Sequence, residues 1–300
     1  MNNGLKKISA RVKKNILLML KEAGSGHTGG SLSCADILVT LYFGSDSEGK
    51  KLMRYEPENP FWEGRDRLVL SKGHAAPALY AVLSEVGYIP EEELFTLRKL
   101  GSRLQGHVDK QMLPFLETST GSLGQGVSIG KGMALGFKID KKPNRVYVVA
   151  GDGELQEGQV WEAARNAKGL DNLTLIVDYN GWSIDSYTDC LYPLRNKFEA
   201  FGWYVIGKEI PSSERKEDMR MDGHDPEKIA EYITEAKEVR EYPQCVILNT
   251  WKGGDIYPFK NNPKYHGKAP TDEELEIAFQ QLDRLIGDAI GNEYKRVLVK

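Results

Sequence analysis

The sequence predicts an α/β protein, a doubly wound parallel sheet with helices on both faces. From residue 67 onward short β-rich runs alternate with helical patterns, and such alternation implies crossover connections and parallel strands. The run Val146-Tyr147-Val148-Val149 is apolar without interruption, as a strand covered on both faces requires. Its exit, Gly151-Asp152-Gly153, and that of the next strand, Asp178-Tyr179-Asn180-Gly181, place polar, glycine-flanked residues where such sheets bind ligands. At 300 residues the chain is long for one domain but within reach of a doubly wound sheet. With no internal repeat and no clear linker, it reads as a single domain over 1–300.

Residues 5–23 place Ile8, Val12, Ile16, Met19 and Leu20 at three- and four-residue steps before Gly24, which predicts an amphipathic helix with a glycine stop. Ser33 and Asp36, ahead of Ile37, Leu38 and Leu41, have the capping-box spacing and predict a second helix, so that N-terminal helices occupy 5–43. Gly, Ser, Pro and charge dominate 44–65, a long surface loop. Strands are predicted at Arg67–Ser71, Arg145–Ala150, Leu173–Asp178, Trp203–Gly207 and Cys245–Thr250. A helix over Gln156–Lys168 would aim its positive end at the turn after Asp152. Residues 208–224 are polar and unpatterned, a second long loop, and a helix follows near 226–241. The last helix opens on Thr271 with Glu274 as capping partner and carries Leu275, Phe279, Leu282, Ile286 and Ile290 on one stripe.

Forty basic against 43 acidic side chains leave no electrostatic footprint for nucleic acid. Apolar runs such as Ile16 to Leu20 fall far short of the roughly 20 residues a membrane span needs. The basic N-terminus lacks a signal-peptide pattern, and three cysteines without close spacing suggest neither a disulfide framework nor a zinc site. These features point to a cytoplasmic protein. Asn172-Leu173-Thr174 reads as surface loop rather than as a glycosylation site.

Gly24-Ser25-Gly26-His27-Thr28-Gly29 satisfies GxGxxG, but no strand precedes it, so it is no dinucleotide fingerprint. Glycines around one histidine instead let backbone approach a ligand while presenting a titratable ring. If the strands ending at Ala150 and Asp178 are neighbours, Asp152 and Asn180 come together at one sheet edge and can share a cation. Their hard oxygens suit Mg²⁺ or Ca²⁺, and Mg²⁺ completes its shell with waters and phosphate oxygens. The other reading is two βα turns in which Asp152 and Asn180 merely cap helices.

Gly151-Asp152-Gly153, 26 residues and then Asn180 resemble the diphosphate-binding motif of thiamine diphosphate enzymes, with Tyr179 in place of the usual second Asn. Gly24-Ser25-Gly26-His27, Ser71-Lys72-Gly73-His74, Gly106-His107, Ser119 to Gly126 and Asn262 to Gly267 are similar to transketolase segments, in transketolase order, and span residues 24–267. The resemblance implies the thiamine diphosphate-binding fold and the N-terminal half of a transketolase standing as its own polypeptide. Asp152, Asn180 and the Trp182 carbonyl would bind Mg²⁺. Gly153, the Gly121-Ser122-Leu123 backbone, Asn180, His74 and His266 would hold the cofactor. His27, His107 and His266 would serve catalysis, facing the substrate and handling its protons. Glu157 and Glu162 match acidic residues near the family's subunit contact, or are simply charges on an exposed turn. His224 reads as structural, at a helix start.

The family's activating glutamate, and most contacts to the substrate phosphate, belong to a pyrimidine-binding domain that this chain lacks. The resemblance therefore implies assembly as a heterotetramer with a C-terminal partner subunit. The expected reaction is transfer of a two-carbon ketol unit from a ketose (phosphate) to an aldose (phosphate) in pentose phosphate chemistry. The alternatives are another thiamine diphosphate lyase or synthase subunit, or an inactive cofactor-binding regulatory subunit. The chain departs from the pattern in two places. The loops 44–65 and 208–222 are longer than the resemblance leads one to expect, and Lys252-Gly253-Gly254-Asp255 stands where Lys-Gly-x-Gly is usual.

Overall fold

The computed structural model describes residues 2–286. Its centre is a five-stranded, all-parallel sheet in the order β1-β2-β3-β5-β4, with β1 at Arg67–Leu70, β2 at Val146–Gly151, β3 at Leu173–Tyr179, β4 at Tyr204–Ile206 and β5 at Gln244–Asn249. The strands β2, β3 and β5 are buried along their whole length. Because successive side chains of a strand leave opposite faces, their apolar runs feed two cores. Tyr147, Val149, Ile176, Val246 and Leu248 pack with α1 (Asn2–Ala23), α3 (Ala35–Phe43), α4 (Ala76–Val86), α8 (Pro226–Glu238) and α9 (Asp272–Ile286). Val146, Val148, Leu175, Val177 and Ile247 pack with α5 (Gln125–Ile139), α6 (Gly158–Arg165) and α7 (Leu194–Ala200). This is the doubly wound sheet expected, and its strands lie within one residue of the predicted bounds at each end. Burying each such valine, leucine or isoleucine contributes about 1.5–3 kcal/mol, so a charge placed at Val148 would break the sheet.

Helix ends follow local chemistry where no distant partner competes for the capping group. Gly87 closes α4 in a left-handed conformation, φ 94°, its N–H reaching the Leu83 and Ser84 carbonyls. Asp225 caps α8 through the Glu227 N–H at 3.0 Å, with Pro226 in the first turn. At α9 the predicted capping box forms, Glu274 accepting from the Thr271 N–H at 2.9 Å and Thr271 from the Glu274 N–H at 3.3 Å. Leu275 and Leu282 of its stripe are buried, whereas Ile290 lies outside the described residues.

Three local expectations need correction. Asn172-Leu173-Thr174 is not surface loop, because Asn172 is buried and Leu173 and Thr174 open the fully buried strand β3. Ser33 and Asp36 do not cap a helix, because both side chains are taken by distant partners. The Ser33 hydroxyl donates to Asp178 at 2.6 Å, and Asp36 accepts from Ser9 and pairs with Lys13 and His224. A short helix, α2 (Thr28–Ser33), already precedes that point and meets α3 at Cys34. The helix expected over Gln156–Lys168 is also shorter. Directly after Asp152 comes a 3₁₀ turn, Gly153–Gln156, and α6 begins only at Gly158, so the turn rather than a long helix faces the sheet edge. The segment 44–65 contains only turns and a bridge between Ser45 and Lys51, and 208–224 holds two 3₁₀ turns. Among the described residues no helix is long and apolar enough to cross a membrane.

Candidate active site

Strands β2 and β3 are neighbours in parallel register, with Gly151 opposite Asp178, so their carboxyl ends open side by side. A cavity of about 350 Å³ lies there. Four of the chain's five histidines line it, brought from four segments. His27 precedes α2, His74 lies in the turn after β1, His107 comes from the loop before α5, and His266 ends a 3₁₀ turn late in the chain. The ring centre of His27 lies 5.1 Å from that of His74, 5.2 Å from His266 and 6.0 Å from His107. Burial, then the neighbouring cationic groups, lowers His27 to about 4, and burial with Lys252 and Lys72 lowers His266 to about 4. Burial also holds His74 well below and His107 below the ordinary value. The cluster is therefore neutral at pH 7 and able to accept protons, and the Nδ1 of His27 is buried without a partner.

Asp152 is fully buried at the β2 exit. Its Oδ2 accepts from the Gly181 N–H at 2.8 Å and the Thr188 hydroxyl at 2.6 Å, while Oδ1 has no partner. Burial pushes its pKa up to about 6. Asn180 and Trp182 line the same cavity from the β3 exit, and the Asn180 Oδ1 accepts the Trp182 N–H at 3.1 Å. A Cβ on Gly153 would stand 3.0 Å from the Ser183 Cα and 3.4 Å from the Trp182 carbonyl oxygen, so only glycine fits this approach without displacement. A buried, orphaned carboxylate oxygen beside a side-chain amide and a main-chain carbonyl is a hard-oxygen set that fits a small divalent cation. Gly121, Leu123 and Glu157 also line the cavity. Ser122 is exposed and not part of the wall, and Glu162 is exposed on α6, also off the wall. The fifth histidine, His224, receives the Trp251 N–H on Nε2 at 2.9 Å, so its Nδ1–H donates to Asp36 over 2.8 Å, which ties α3 to the β5 exit.

Three charged residues of this wall are not among the site residues predicted from the sequence. Lys72 is buried against Asp178, whose carboxylate also accepts from Ser33 and Thr250. Lys252 donates to the Ser183 and Ile184 carbonyls, the latter at 2.8 Å, and burial lowers it to about 8. Glu154 accepts from Ser71, from the Gly124 N–H at 2.7 Å and from the Gly151 N–H at 3.2 Å, which fastens the Gly121–Leu123 loop to the β2 exit. Lys72 sits in the Ser71–His74 run and Lys252 in the glycine-rich run after β5, but nothing in their spacing tells a wall lysine from a surface one. Lys252 brings a positive charge to the cavity that no carboxylate pairs with among the described residues, whereas Lys72 is neutralised by Asp178.

A family model described as transketolase, thiamine diphosphate binding domain, matches residues 14–284. The 6-deoxy-6-sulfo-D-fructose transketolase subunit SqwG of Clostridium sp. (strain MSTE9) is 40% identical over 278 residues, covering 91% of this chain and 94% of the relative. One of the subunits of the apulose-4-phosphate transketolase of Phocaeicola vulgatus is 35% identical over 283 residues, 93% of each chain. Transketolase of Homo sapiens is 37% identical over 285 residues, 93% of this chain but 42% of the relative. Among solved structures, transketolase from Campylobacter jejuni superposes with a TM-score of 0.82 at 32% identity, covering 94% of this chain and 43% of that one. The chain thus spans nearly all of the two subunits it matches and less than half of the longer transketolases. It belongs to the transketolase family, of which it carries the thiamine diphosphate-binding half.

Proposed function

We propose that this chain is the cofactor-holding member of a two-subunit transketolase, moving a two-carbon ketol unit from a ketose to an aldose, both bearing an anionic group such as phosphate. The observation that carries the reading is the convergence of four neutral histidines, within about 6 Å of His27, on a cavity that also holds an unpartnered buried carboxylate oxygen. Asp152, Asn180 and the Trp182 carbonyl would hold Mg²⁺, or Ca²⁺ in its place. Gly153, Leu123, His74, Lys72 and Lys252 would hold the diphosphate. When bound, thiamine diphosphate supplies an electron sink for cleavage next to a carbonyl. The chain's own contribution is proton handling and exclusion of water. A neutral His27 imidazole can take the proton of a sugar hydroxyl, and because its cationic form is disfavoured it returns that proton readily. His107, at the more open side, and His266 would orient the sugar hydroxyls.

The activating glutamate would come from a partner with the pyrimidine-binding fold, assembled with this chain as a heterotetramer in the cytoplasm. The naming of two relatives as transketolase subunits supports this. The test is ketol transfer measured with purified chain, Mg²⁺ and thiamine diphosphate, with and without the partner. Xylulose 5-phosphate and ribose 5-phosphate serve as one pair, and the sulfonated and branched donors named for those relatives are run in parallel. Activity is expected only in the mixture. Comparable turnover by the isolated chain would overturn the half-enzyme reading, and a mixture that binds cofactor but transfers no unit from any donor would favour a regulatory role.

A further inference from the structure

The long segment 208–222 returns to the sheet edge and places one arginine beneath the turn that carries Asn180. The guanidinium of Arg215 reaches four main-chain carbonyls. Nη2 donates to Tyr179 at 2.8 Å, Nη1 to Asn180 at 2.9 Å and to Thr250 at 2.6 Å, and Nε to Ile210 at 3.0 Å. Four of its five N–H donors are thus engaged by backbone, and among the described residues no carboxylate forms an ion pair with it. The charge lies 5.3 Å from the Tyr179 ring centre and 5.8 Å from that of Trp251. Tyr179 is the residue that stands where the diphosphate motif usually has asparagine, so the unusual side chain and the long segment meet at this contact.

Asn180 and the Trp182 carbonyl can face Asp152 only because the chain reverses sharply at Gly181, φ 83°, where an added Cβ would come within 3.3 Å of the Arg215 Nε. The same guanidinium holds the ends of β3 and β5 together through Tyr179, Asn180 and Thr250. On the far side of the turn, Ser212 is tied to Asp189, next to the Thr188 hydroxyl that donates to Asp152. Both arms of the metal-binding turn are therefore fastened to one segment.

We propose that Arg215 is a positioning residue for the metal site: it holds the Asn180–Trp182 turn in the conformation that presents its oxygens opposite Asp152. This rests on the metal assignment made above and extends it to a residue that touches neither cation nor cofactor. A residue that orients ligands from outside typically changes metal affinity by about 10–100-fold when removed. Lysine cannot substitute, because one ammonium on a flexible stem does not reproduce a planar fork that spans two strand ends.

The experiment is calorimetric titration of the full chain, assembled with its partner subunit, with Mg²⁺ at fixed thiamine diphosphate, together with amide hydrogen exchange of the metal-free chain. Wild-type binding tests the functional reading, and the variants test Arg215. Arg215→Met is expected to raise the apparent Mg²⁺ Kd by about 10–100-fold, with Arg215→Lys recovering only part of the loss. Exchange should accelerate at the Gly181 N–H, which bonds Asp152, more than at amides in the middle of β2 and β5. A merely structural arginine would instead speed exchange everywhere and leave Mg²⁺ affinity within about threefold of wild type, and either result overturns the proposal. Full recovery by lysine would overturn the fork. If Arg215→Met does not fold, Arg215→Gln, which keeps two donors, is held to the same criteria. Failure of the wild type itself to bind Mg²⁺ with the cofactor would remove the metal assignment, and with it this role.

Discussion

Replacing Asp152 by asparagine should change the pH dependence of folding before any cofactor is added. Burial lifts this carboxyl from an ordinary 3.8 to about 6 in the folded, metal-free chain. Because the folded state holds the proton more tightly than the unfolded one, the contribution to stability is complete below the ordinary pKa and is lost as pH rises through about 6. At about 1.4 kcal/mol for each tenfold in proton affinity, the full amount is about 3 kcal/mol, of which about 1.4 kcal/mol disappears between pH 5 and 7.5. Asparagine can keep both existing bonds, its Oδ1 accepting from Gly181 and Thr188, and it does not titrate. The variant therefore lacks this term, whatever constant offset its amide nitrogen introduces in the place of the unpartnered Oδ1. Urea unfolding of both proteins in EDTA, from pH 5 to 7.5, isolates the effect, since other titrating groups cancel in the difference. The stability difference should move by about 1.4 kcal/mol in favour of Asp152→Asn as pH rises. With Mg²⁺ and thiamine diphosphate the order should reverse, wild type gaining stability by mass action and the variant gaining little. A difference that stays flat with pH would show that Asp152 is not held protonated by its surroundings, and the account of its environment would be wrong.

His27→Ala is expected mainly to lower turnover and His74→Ala mainly to weaken cofactor binding. Steady-state kinetics of the two-subunit enzyme at saturating and limiting cofactor separate the two, and identical profiles would reject the division. Lys72→Met strands the buried Asp178 carboxylate on two hydroxyls and should cost about 3–5 kcal/mol of stability by denaturant unfolding. A change below about 1 kcal/mol would mean that the ion pair is not what neutralises that carboxylate. Alanine at Gly30 puts a methyl 3.0 Å from the His74 Nε2, and thiamine diphosphate affinity should fall while the midpoint of unfolding moves little. His27, held near 4, should show no titration midpoint by NMR above pH 5 in the metal-free chain, and an ordinary titration near 6.5 would contradict its burial.

The sheet was legible because β2, β3 and β5 are buried on both faces and must be apolar throughout, a pattern that does not depend on knowing their neighbours. The helix α2 was not, because Thr28-Gly29-Gly30-Ser31-Leu32-Ser33 has poor helix formers and no apolar stripe, and it is helical only because every residue in it is enclosed. Ser33 and Asp36 misled for a related reason: a capping pattern is a local offer, and partners 23 to 188 positions away prevail over it. In the site, Asp152, Asn180 and the four histidines announce themselves through glycine neighbours and strand exits. Lys72, Glu154 and Lys252 share those neighbours without being told from surface charges by them, and Arg215 has no such mark. What each does follows from burial and from partners that only the folded chain supplies.

The strand order also bears on how the chain is made. The edge strand β1 has a single neighbour, and that neighbour begins 79 residues later. At about 5–20 residues per second of synthesis, Arg67–Leu70 waits on the order of ten seconds for β2 to leave the ribosome. Throughout that interval α1 and α3, joined by α4 soon after β1, expose apolar faces destined for the same core without the sheet they cover. The β2–β3 pair fares differently, since β3 starts 27 residues after β2 and pairs with it along six positions. The N-terminal quarter is thus the part that waits before its first sheet partner exists, which makes it the natural client of a chaperone.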